Sequence, residues 1–225
     1  MTGTGDIKKP VVVHGRAQPG RLPLFPLSRA ILLPKGQLPL NIFEPRYLRM
    51  VDDALGGSRV IGMIQPREEE QSAAAPPLYE VRCAGRITSF AETGDGRYFI
   101  TLTGILRFRL DKEVAAPTPY RQAEVDYALF VPDADPDPTA TMVDRERLFD
   151  AMRLYFEAGK LNADWKAANE APTDALVNSL AIGCPFAANE KQALLEAGSV
   201  ADRARCLIAL MCMGGVDPSD TQTVQ

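Results

Sequence analysis

Residues 38–47 read Leu38-Pro39-Leu40-Asn41-Ile42-Phe43-Glu44-Pro45-Arg46-Tyr47, and this stretch contains a change of period that decides the fold. Its first six residues alternate apolar side chains with proline or polar ones, which predicts an edge or bulged strand. Pro45 suits the first position of a helix, and apolar residues then recur at helical spacing as far as Leu55. Gly56 and Gly57 end that pattern. The sequence therefore predicts a strand that passes directly into a helix.

Strand patterns dominate the first half of the chain on both sides of this stretch. Apolar runs or period-2 alternation occupy residues 22–27, 60–64, 79–91, 100–110 and 123–131. Thr93-Gly94-Asp95-Gly96 supplies residues that tolerate positive φ, so it predicts a hairpin turn. Many strands of changing direction favour a closed or partly closed antiparallel barrel.

The second half changes to a helical period. Ala204, Leu207, Ile208 and Met211 share one helix face, and the half as a whole predicts about four helices. Capping boxes are predicted at Ser199 with Asp202 and at Asn189 with Gln192. We divide the chain into a flexible arm (1–20), a β-rich subdomain (21–132), an acidic, proline-rich linker (133–140), a helical subdomain (141–215) and a tail (216–225). Residues 68–77 predict a mobile loop.

Charge is spread unevenly between the halves. Residues 1–131 hold 17 basic and 14 acidic residues, net +3, whereas residues 132–225 hold 8 and 15, net −7. The basic residues are scattered along the sequence, so we expect no nucleic-acid partner. No apolar run reaches the roughly 18 residues of a membrane span, and the N-terminus has no signal-peptide core. We therefore expect a cytoplasmic protein with no membrane association.

Candidate catalytic and metal-binding residues form no recognisable motif. The four cysteines include no CxxC pair, and His14 is the single histidine, so no metal site is expected. Residues 15–22 resemble a phosphate loop only superficially, because Arg21 and Leu22 replace its lysine and its hydroxyl residue. A serine–lysine pair is available in Ser179 and Lys191, although nothing marks either residue. The sequence predicts no catalytic residue and no cofactor.

Several motifs, in order, resemble the N-terminal domain family of Lon proteases. They are LPLFPL (22–27), ILLP (31–34), LPLNIFEPRY (38–47), GRI (85–87), GILRF (104–108) and EKQALLE (190–196). The resemblance covers about residues 21 to 213, and its most specific part is Phe43-Glu44-Pro45-Arg46-Tyr47. Asn41 departs from the family pattern, which often has histidine there.

The resemblance implies an α+β fold, in which a PUA-like antiparallel β pseudo-barrel is followed by a C-terminal α-helical bundle. It also implies a role in substrate recognition, since in Lon separate domains supply the ATPase and peptidase activities. The chain ends at Gln225, so we expect a non-enzymatic module that binds unfolded or damaged protein, or a protease partner. A hydrolase or peptidase, and an RNA-binding protein by analogy with PUA-like folds, are the alternatives.

Two groups of residues are candidates for function. The signature Phe43-Glu44-Pro45-Arg46-Tyr47 is expected to be structural: Pro45 begins a helix, Phe43 and Tyr47 pack against the barrel, and Arg46 pairs with a carboxylate. The polypeptide-binding candidates are Leu33, Pro34 and Lys35, because this loop is apolar yet lies between strands.

Overall fold

The fold is given by a computed structural model that describes residues 11–67 and 78–214. Its strands are β1 (Val12–Val13), β2 (Arg16–Ala17), β3 (Arg21–Pro26), β4 (Gln37–Ile42), β5 (Val60–Ile64), β6 (Val81–Glu92), β7 (Tyr98–Val114) and β8 (Gln122–Asp126). Its α-helices are α1 (Pro45–Leu55), α2 (Arg145–Ala158), α3 (Trp165–Glu170), α4 (Thr173–Gly183), α5 (Ala188–Glu196) and α6 (Val200–Gly214). Two 3₁₀ helices, Ala128–Ala134 and Pro138–Met142, connect the strands to the helices.

Strand β7 closes the sheet, because it is long enough to pair with three neighbours. Its first half pairs with β4, its second half pairs with β8, and β6 runs along its other edge. The order β7-β6-β5-β3-β8 then returns to β7, which makes a ring of five strands with β4 attached outside it. All of these pairings are antiparallel except β3 with β5, which is parallel. The predicted α+β pseudo-barrel is confirmed, with one parallel pair as a correction.

The last predicted strand is too long. Strand β8 ends at Asp126, and residues 128–134 form the first 3₁₀ helix rather than a continuation to Val131. The turn is stabilised by the Asp126 carboxylate, which accepts a hydrogen bond from the Ala128 N–H at 2.9 Å. The buried Tyr127 donates its hydroxyl to the Pro19 carbonyl at 3.1 Å, which fixes the chain where it leaves the sheet.

The N-terminal segment also differs from expectation in its second half. Residues 11–20 contain the β1–β2 hairpin where we expected a flexible arm. Val13 is buried in the barrel interior, and the Gln18 N–H donates to the Val11 carbonyl at 2.8 Å. Residues 1–10, the loop 68–77 and the tail 216–225 lie outside the described residues.

Residues 141–214, the described part of the helical subdomain, contain five α-helices rather than about four. The cap at Ser199 is confirmed, since its hydroxyl accepts the Asp202 N–H at 3.1 Å. The cap at Asn189 is wrong: α5 begins at Ala188, and the Glu190 carboxylate accepts the Ala187 N–H at 2.8 Å.

The acidic segment 133–140 is tied to both subdomains. The Asp137 carboxylate accepts hydrogen bonds from the Thr139 N–H at 2.8 Å and from the Val200 N–H at 2.7 Å, at the first residue of α6. Asp133 forms an ion pair with Arg107 of β7. These contacts fix the segment to both the barrel and the helices, where the sequence predicted only a linker.

Two apolar clusters hold the fold together. One fills the barrel, with Leu22, Leu24, Leu106 and Phe108 at its centre. The larger one lies between the barrel, α1 and the helical subdomain, so burial joins the two halves directly. None of the helices in residues 11–67 and 78–214 has the length and apolar character of a membrane span.

Candidate functional site

The predicted binding loop is buried at two of its three residues. Leu33 is 0% exposed and Pro34 is buried, so neither side chain is available to a partner. The loop lies against β7 at Gly104, where an added Cβ would be 2.0 Å from the Leu33 carbonyl oxygen. The Lys35 N–H donates to the Gly104 carbonyl, and the Gly104 N–H to the Gly36 carbonyl, both at 2.9 Å. The burial of Leu33 in the larger apolar cluster, and of Pro34 beside it, argues against the prediction that these two side chains bind a polypeptide.

The loop also contacts the helical subdomain. The Asn178 side-chain amide of α4 donates to the Pro34 carbonyl at 3.1 Å. Lys35 alone of the three predicted residues is exposed, and it has a positive φ of 65°. The Lys35 ammonium donates to the Asp135 backbone carbonyl at 3.2 Å. Lys35 thus remains the one candidate of this group that a partner can reach.

Four of the five signature residues stabilise the start of α1. Pro45 is its first residue, and Tyr47 is buried with its ring 4.6 Å from that of Phe25. The Arg46 guanidinium pairs with Glu44 at 2.8 Å and lies 4.5 Å from the Tyr47 ring centroid. Burial raises the pKa of Tyr47.

Phe43 behaves differently from the rest of the signature. The prediction that it packs against the barrel is wrong, because its side chain is 62% exposed. It follows Ile42 at the end of β4, where the chain turns into α1. An exposed phenylalanine inside a signature that is otherwise structural is a candidate for contact with a partner.

The outward face of the β4-β7-β6 sheet carries a second exposed phenylalanine. Cross-strand register places Phe99 between Asn41 and Ala91, and places Thr101 in the next row between Pro39 and Ser89. Phe99 is 51% exposed. These six residues, with Leu40 and Ile100, line a shallow groove of about 330 Å³, which we call the aromatic groove.

Sequence reasoning missed Phe99, although its alternation contained the signal. Ile100 and Leu102 are buried, so Phe99 must lie on the opposite face, among polar residues. Phe90 of β6, also missed, is 42% exposed and makes an edge-to-face contact with Tyr98 at 5.0 Å. Phe43, Phe90 and Phe99 thus lie at the same end of the sheet.

A cleft of about 490 Å³ continues from the aromatic groove along the same face of β7, and we call it the basic cleft. Its walls include Thr103, Thr88 and the cations Arg16, Lys35 and Arg86. The hairpin β1–β2 places Arg16 there, and Arg86 donates to the Ser58 carbonyl at 3.0 Å. Partial burial, followed by the repulsion of Arg16, lowers the pKa of Arg86.

The candidate catalytic groups Ser179 and Lys191 differ in burial and in their contacts. Ser179 is exposed, whereas the Lys191 ammonium is buried and donates to the Ile182 carbonyl at 2.6 Å. Burial lowers the pKa of Lys191, and it raises the pKa of Cys184 to about 11, which keeps that thiol protonated at neutral pH. Among the described residues, no group of three or more His, Cys, Asp or Glu side chains could hold a metal ion.

Comparison with known proteins places this geometry in a family. The family model described as the substrate-binding domain of the ATP-dependent protease La (LON) matches residues 21–213. Lon protease 2 of Myxococcus xanthus is 28% identical over 211 residues, which are 90% of this chain and 24% of that protein. The Lon protease of Anaeromyxobacter dehalogenans is 30% identical over 118 residues, 52% of this chain and 14% of that protein. The chain thus spans a quarter or less of the length of these relatives.

Solved structures agree on the fold. The Lon N-terminal domain protein from Xanthomonas campestris superimposes with a TM-score of 0.56 at 24% identity, over 84% of this chain and 97% of that one. The N-terminal domain of the Mycobacterium avium complex Lon protease gives 0.62 at 18% identity, over 85% and 98%. With the family model matched over residues 21–213, the chain belongs to the Lon substrate-binding domain family.

Proposed function

We propose that this chain is a non-catalytic recognition module that binds exposed apolar segments of unfolded or damaged polypeptides. The observation that carries the proposal is the exposure of two aromatic rings in a substrate-binding family: Phe99, which lines the aromatic groove, and Phe43, which follows the last residue of β4. Exposed aromatic side chains beside a groove are typical of protein contact sites. An unfolded chain offers the apolar side chains and backbone groups that such a surface binds.

The alternatives receive less support from the described residues. A serine–lysine peptidase needs a lysine that can accept the proton of the serine hydroxyl, and Lys191 instead donates to a backbone carbonyl. The cysteine thiols Cys83 and Cys184 are buried and have raised pKa values, the reverse of an activated nucleophile. Delivery of the bound polypeptide to a protease, and a cytoplasmic location, are part of the same proposal.

A binding assay with a permanently unfolded protein tests this function. Fluorescently labelled, reduced and carboxymethylated lactalbumin is titrated with the wild type and with Phe99→Ser, Phe43→Ser and the double variant. Losing one aromatic anchor is expected to weaken binding roughly fivefold or more. The matched control is Leu154→Ser, which removes an apolar side chain 59% exposed on α2, on the helical subdomain.

The outcomes distinguish whether the chain binds unfolded protein from whether Phe43 and Phe99 form the binding surface. Binding that weakens in the phenylalanine variants and is unchanged in Leu154→Ser supports the proposal. No binding by the folded wild type, or the same loss in all variants, contradicts it. Turnover of casein by the purified chain that disappears on mutation of one serine or cysteine would overturn the non-catalytic assignment.

A further inference from the structure

We propose that the basic cleft binds an acidic stretch of an extended polypeptide, one of whose apolar side chains lies in the aromatic groove. This inference rests on the proposed function and adds a sequence preference to it. The client would carry Asp or Glu residues a few positions from an aromatic or aliphatic residue. The charge of the cleft, the continuity of the surface and the spacing along β7 all favour such a client.

The charge of the basic cleft favours an acidic ligand. Arg16, Lys35 and Arg86 line the cleft, and none of the ion pairs formed between described residues includes any of them. The single carboxylate on the walls of the cleft belongs to Asp133, which is held by Arg107 at 2.8 Å. Three cations without a carboxylate partner are therefore available to an acidic ligand. The mutual repulsion of Arg16 and Arg86 is relieved when an anion lies between them.

The aromatic groove and the basic cleft lie on one continuous surface. Register places Gln37, Thr103 and Arg86 in one row across β4, β7 and β6, two residues beyond the row of Thr101 and four beyond that of Phe99. The hydroxyls of Thr88 and Thr103 lie on this face and are hydrogen-bonded to each other at 2.9 Å, so the strip is polar between its two ends. The aromatic groove and the basic cleft are thus two ends of one outward strip.

The distance between the groove and the cleft along β7 sets the spacing expected in the client. A strand rises about 3.3 Å per residue, so Phe99 and Thr103 are separated by roughly 13 Å along β7. An extended peptide covers that distance with about four residues. We therefore expect the acidic residues of the client about three to five positions from its apolar anchor. A globular partner with a flat acidic surface does not present that pattern to a strip only three strands wide.

A polyanion such as RNA shares the negative charge of this client but fits the molecule less well. The whole chain has a net charge of −4, and residues 132–225 contribute −7, which repels a long phosphate backbone beyond the cleft. A few carboxylates on a peptide need only the three local cations. RNA binding is therefore an outcome that the test must be able to detect.

Three labelled probes measured by fluorescence anisotropy test the inference. The first is a twelve-residue peptide with one phenylalanine and three glutamates placed three to five positions away. The second has glutamines in place of those glutamates, and the third is a single-stranded RNA oligonucleotide of the same length. The protein is the full chain as wild type, Arg16→Glu, Arg86→Gln and Lys166→Glu. Lys166 is an exposed cation on α3, so its reversal matches the charge change of Arg16→Glu far from the cleft.

The glutamate peptide is expected to bind the wild type roughly tenfold more tightly than the glutamine peptide at low salt. That preference is expected to shrink as salt rises. Arg16→Glu is expected to remove it while leaving the affinity for the glutamine peptide unchanged, and Lys166→Glu to preserve it. Arg86→Gln, which loses the charge without reversing it, is expected to give an intermediate preference. Thermal unfolding of each variant shows that the fold is retained.

Three results would overturn the inference. They are equal affinity for the two peptides, equal loss of affinity for both peptides in Arg16→Glu, and tighter binding of RNA than of the glutamate peptide. A different result would contradict the proposed function: neither peptide, and no unfolded lactalbumin, would bind the wild type. Binding of the glutamine peptide without any preference for glutamate retains the function and rejects the acidic client.

Discussion

Arg107 of β7 and Asp133 of the first 3₁₀ helix form a two-point ion pair, with Nη2–Oδ1 at 2.8 Å and Nε–Oδ2 at 2.9 Å. Arg107 Nη1 also donates to the Leu195 carbonyl at 3.0 Å and to the Ala197 carbonyl at 2.7 Å, where α5 ends. Both side chains are nearly buried. One guanidinium therefore joins the barrel, the acidic segment 133–140 and the helical subdomain.

Arg107→Ala is expected to lower the free energy of unfolding by about 3–5 kcal/mol. It leaves two carbonyls without their side-chain donor, and it leaves the nearly buried Asp133 carboxylate without a counter-charge, with only the backbone N–H of residue 107 as a donor at 3.1 Å. Urea unfolding followed by circular dichroism measures the change. The double variant Arg107→Met with Asp133→Leu removes both charges and is expected to be more stable than Arg107→Ala. A loss below about 1 kcal/mol in Arg107→Ala would show that the joint does not depend on this pair.

Gly104→Ala is expected to destabilise the chain by about 3 kcal/mol, since its Cβ would be 2.0 Å from the Leu33 carbonyl oxygen and neither backbone can move freely. The matched control is Gly94→Ala in the β6–β7 turn, where nothing lies within 4 Å of an added Cβ, and its effect is expected to stay below about 0.5 kcal/mol. Chemical denaturation of both variants gives the comparison. Equal stability of the two would contradict the close approach of residue 33 to β7.

Truncation of Tyr47 is expected to destabilise the fold much more than truncation of Phe43. Tyr47→Ala removes a buried ring that packs on Phe25 and is expected to cost about 3 kcal/mol of stability. Phe43→Ala removes an exposed ring and is expected to change stability by about 0.5 kcal/mol or less. Thermal unfolding measures both, and a large loss in Phe43→Ala would mean that this ring is a fold determinant after all.

Stability is expected to fall as pH rises above about 10, the ordinary pKa of tyrosine. Burial, and then the hydrogen bond to Asp53, raise the pKa of Tyr120 to about 12, and burial also raises the pKa of Tyr127. The folded chain keeps these protons while the unfolded chain releases them, so the stabilisation is complete below pH 10 and is lost as pH rises through the folded pKa. Unfolding midpoints from pH 8 to 11.5, with tyrosinate absorbance, measure the slope, which Tyr127→Phe is expected to reduce. A stability that stays constant over this range would contradict the raised values.

The sequence by itself determined the order and type of most elements, because hydrophobic period and turn chemistry are local properties. The strand-to-helix change at Pro45, the turn before Arg97 and the cap at Ser199 all depend on neighbouring residues, and all three were predicted. The failures at Asn189 and Val131 came from element boundaries. At Asn189 a competing local cap, in which the Glu190 carboxylate accepts the Ala187 N–H, begins the helix earlier, at Ala188. At Val131 the long-range hydrogen bond from Tyr127 to the Pro19 carbonyl outweighs the local alternation.

Only the tertiary structure decided which apolar residues face solvent. Leu33 and Phe43 are both apolar and close in sequence, yet one is 0% and the other 62% exposed. The difference arises because Gly104, more than sixty positions away, lets the backbone of Leu33 lie against β7, whereas Phe43 follows Ile42, the last residue of β4 that pairs with β7. The basic cleft likewise brings together Arg16 of the β1–β2 hairpin, Lys35 of the β3–β4 loop and Arg86 of β6, which are far apart in sequence. Local sequence fixes the period of an element, and long-range contacts fix which face of it a partner can reach.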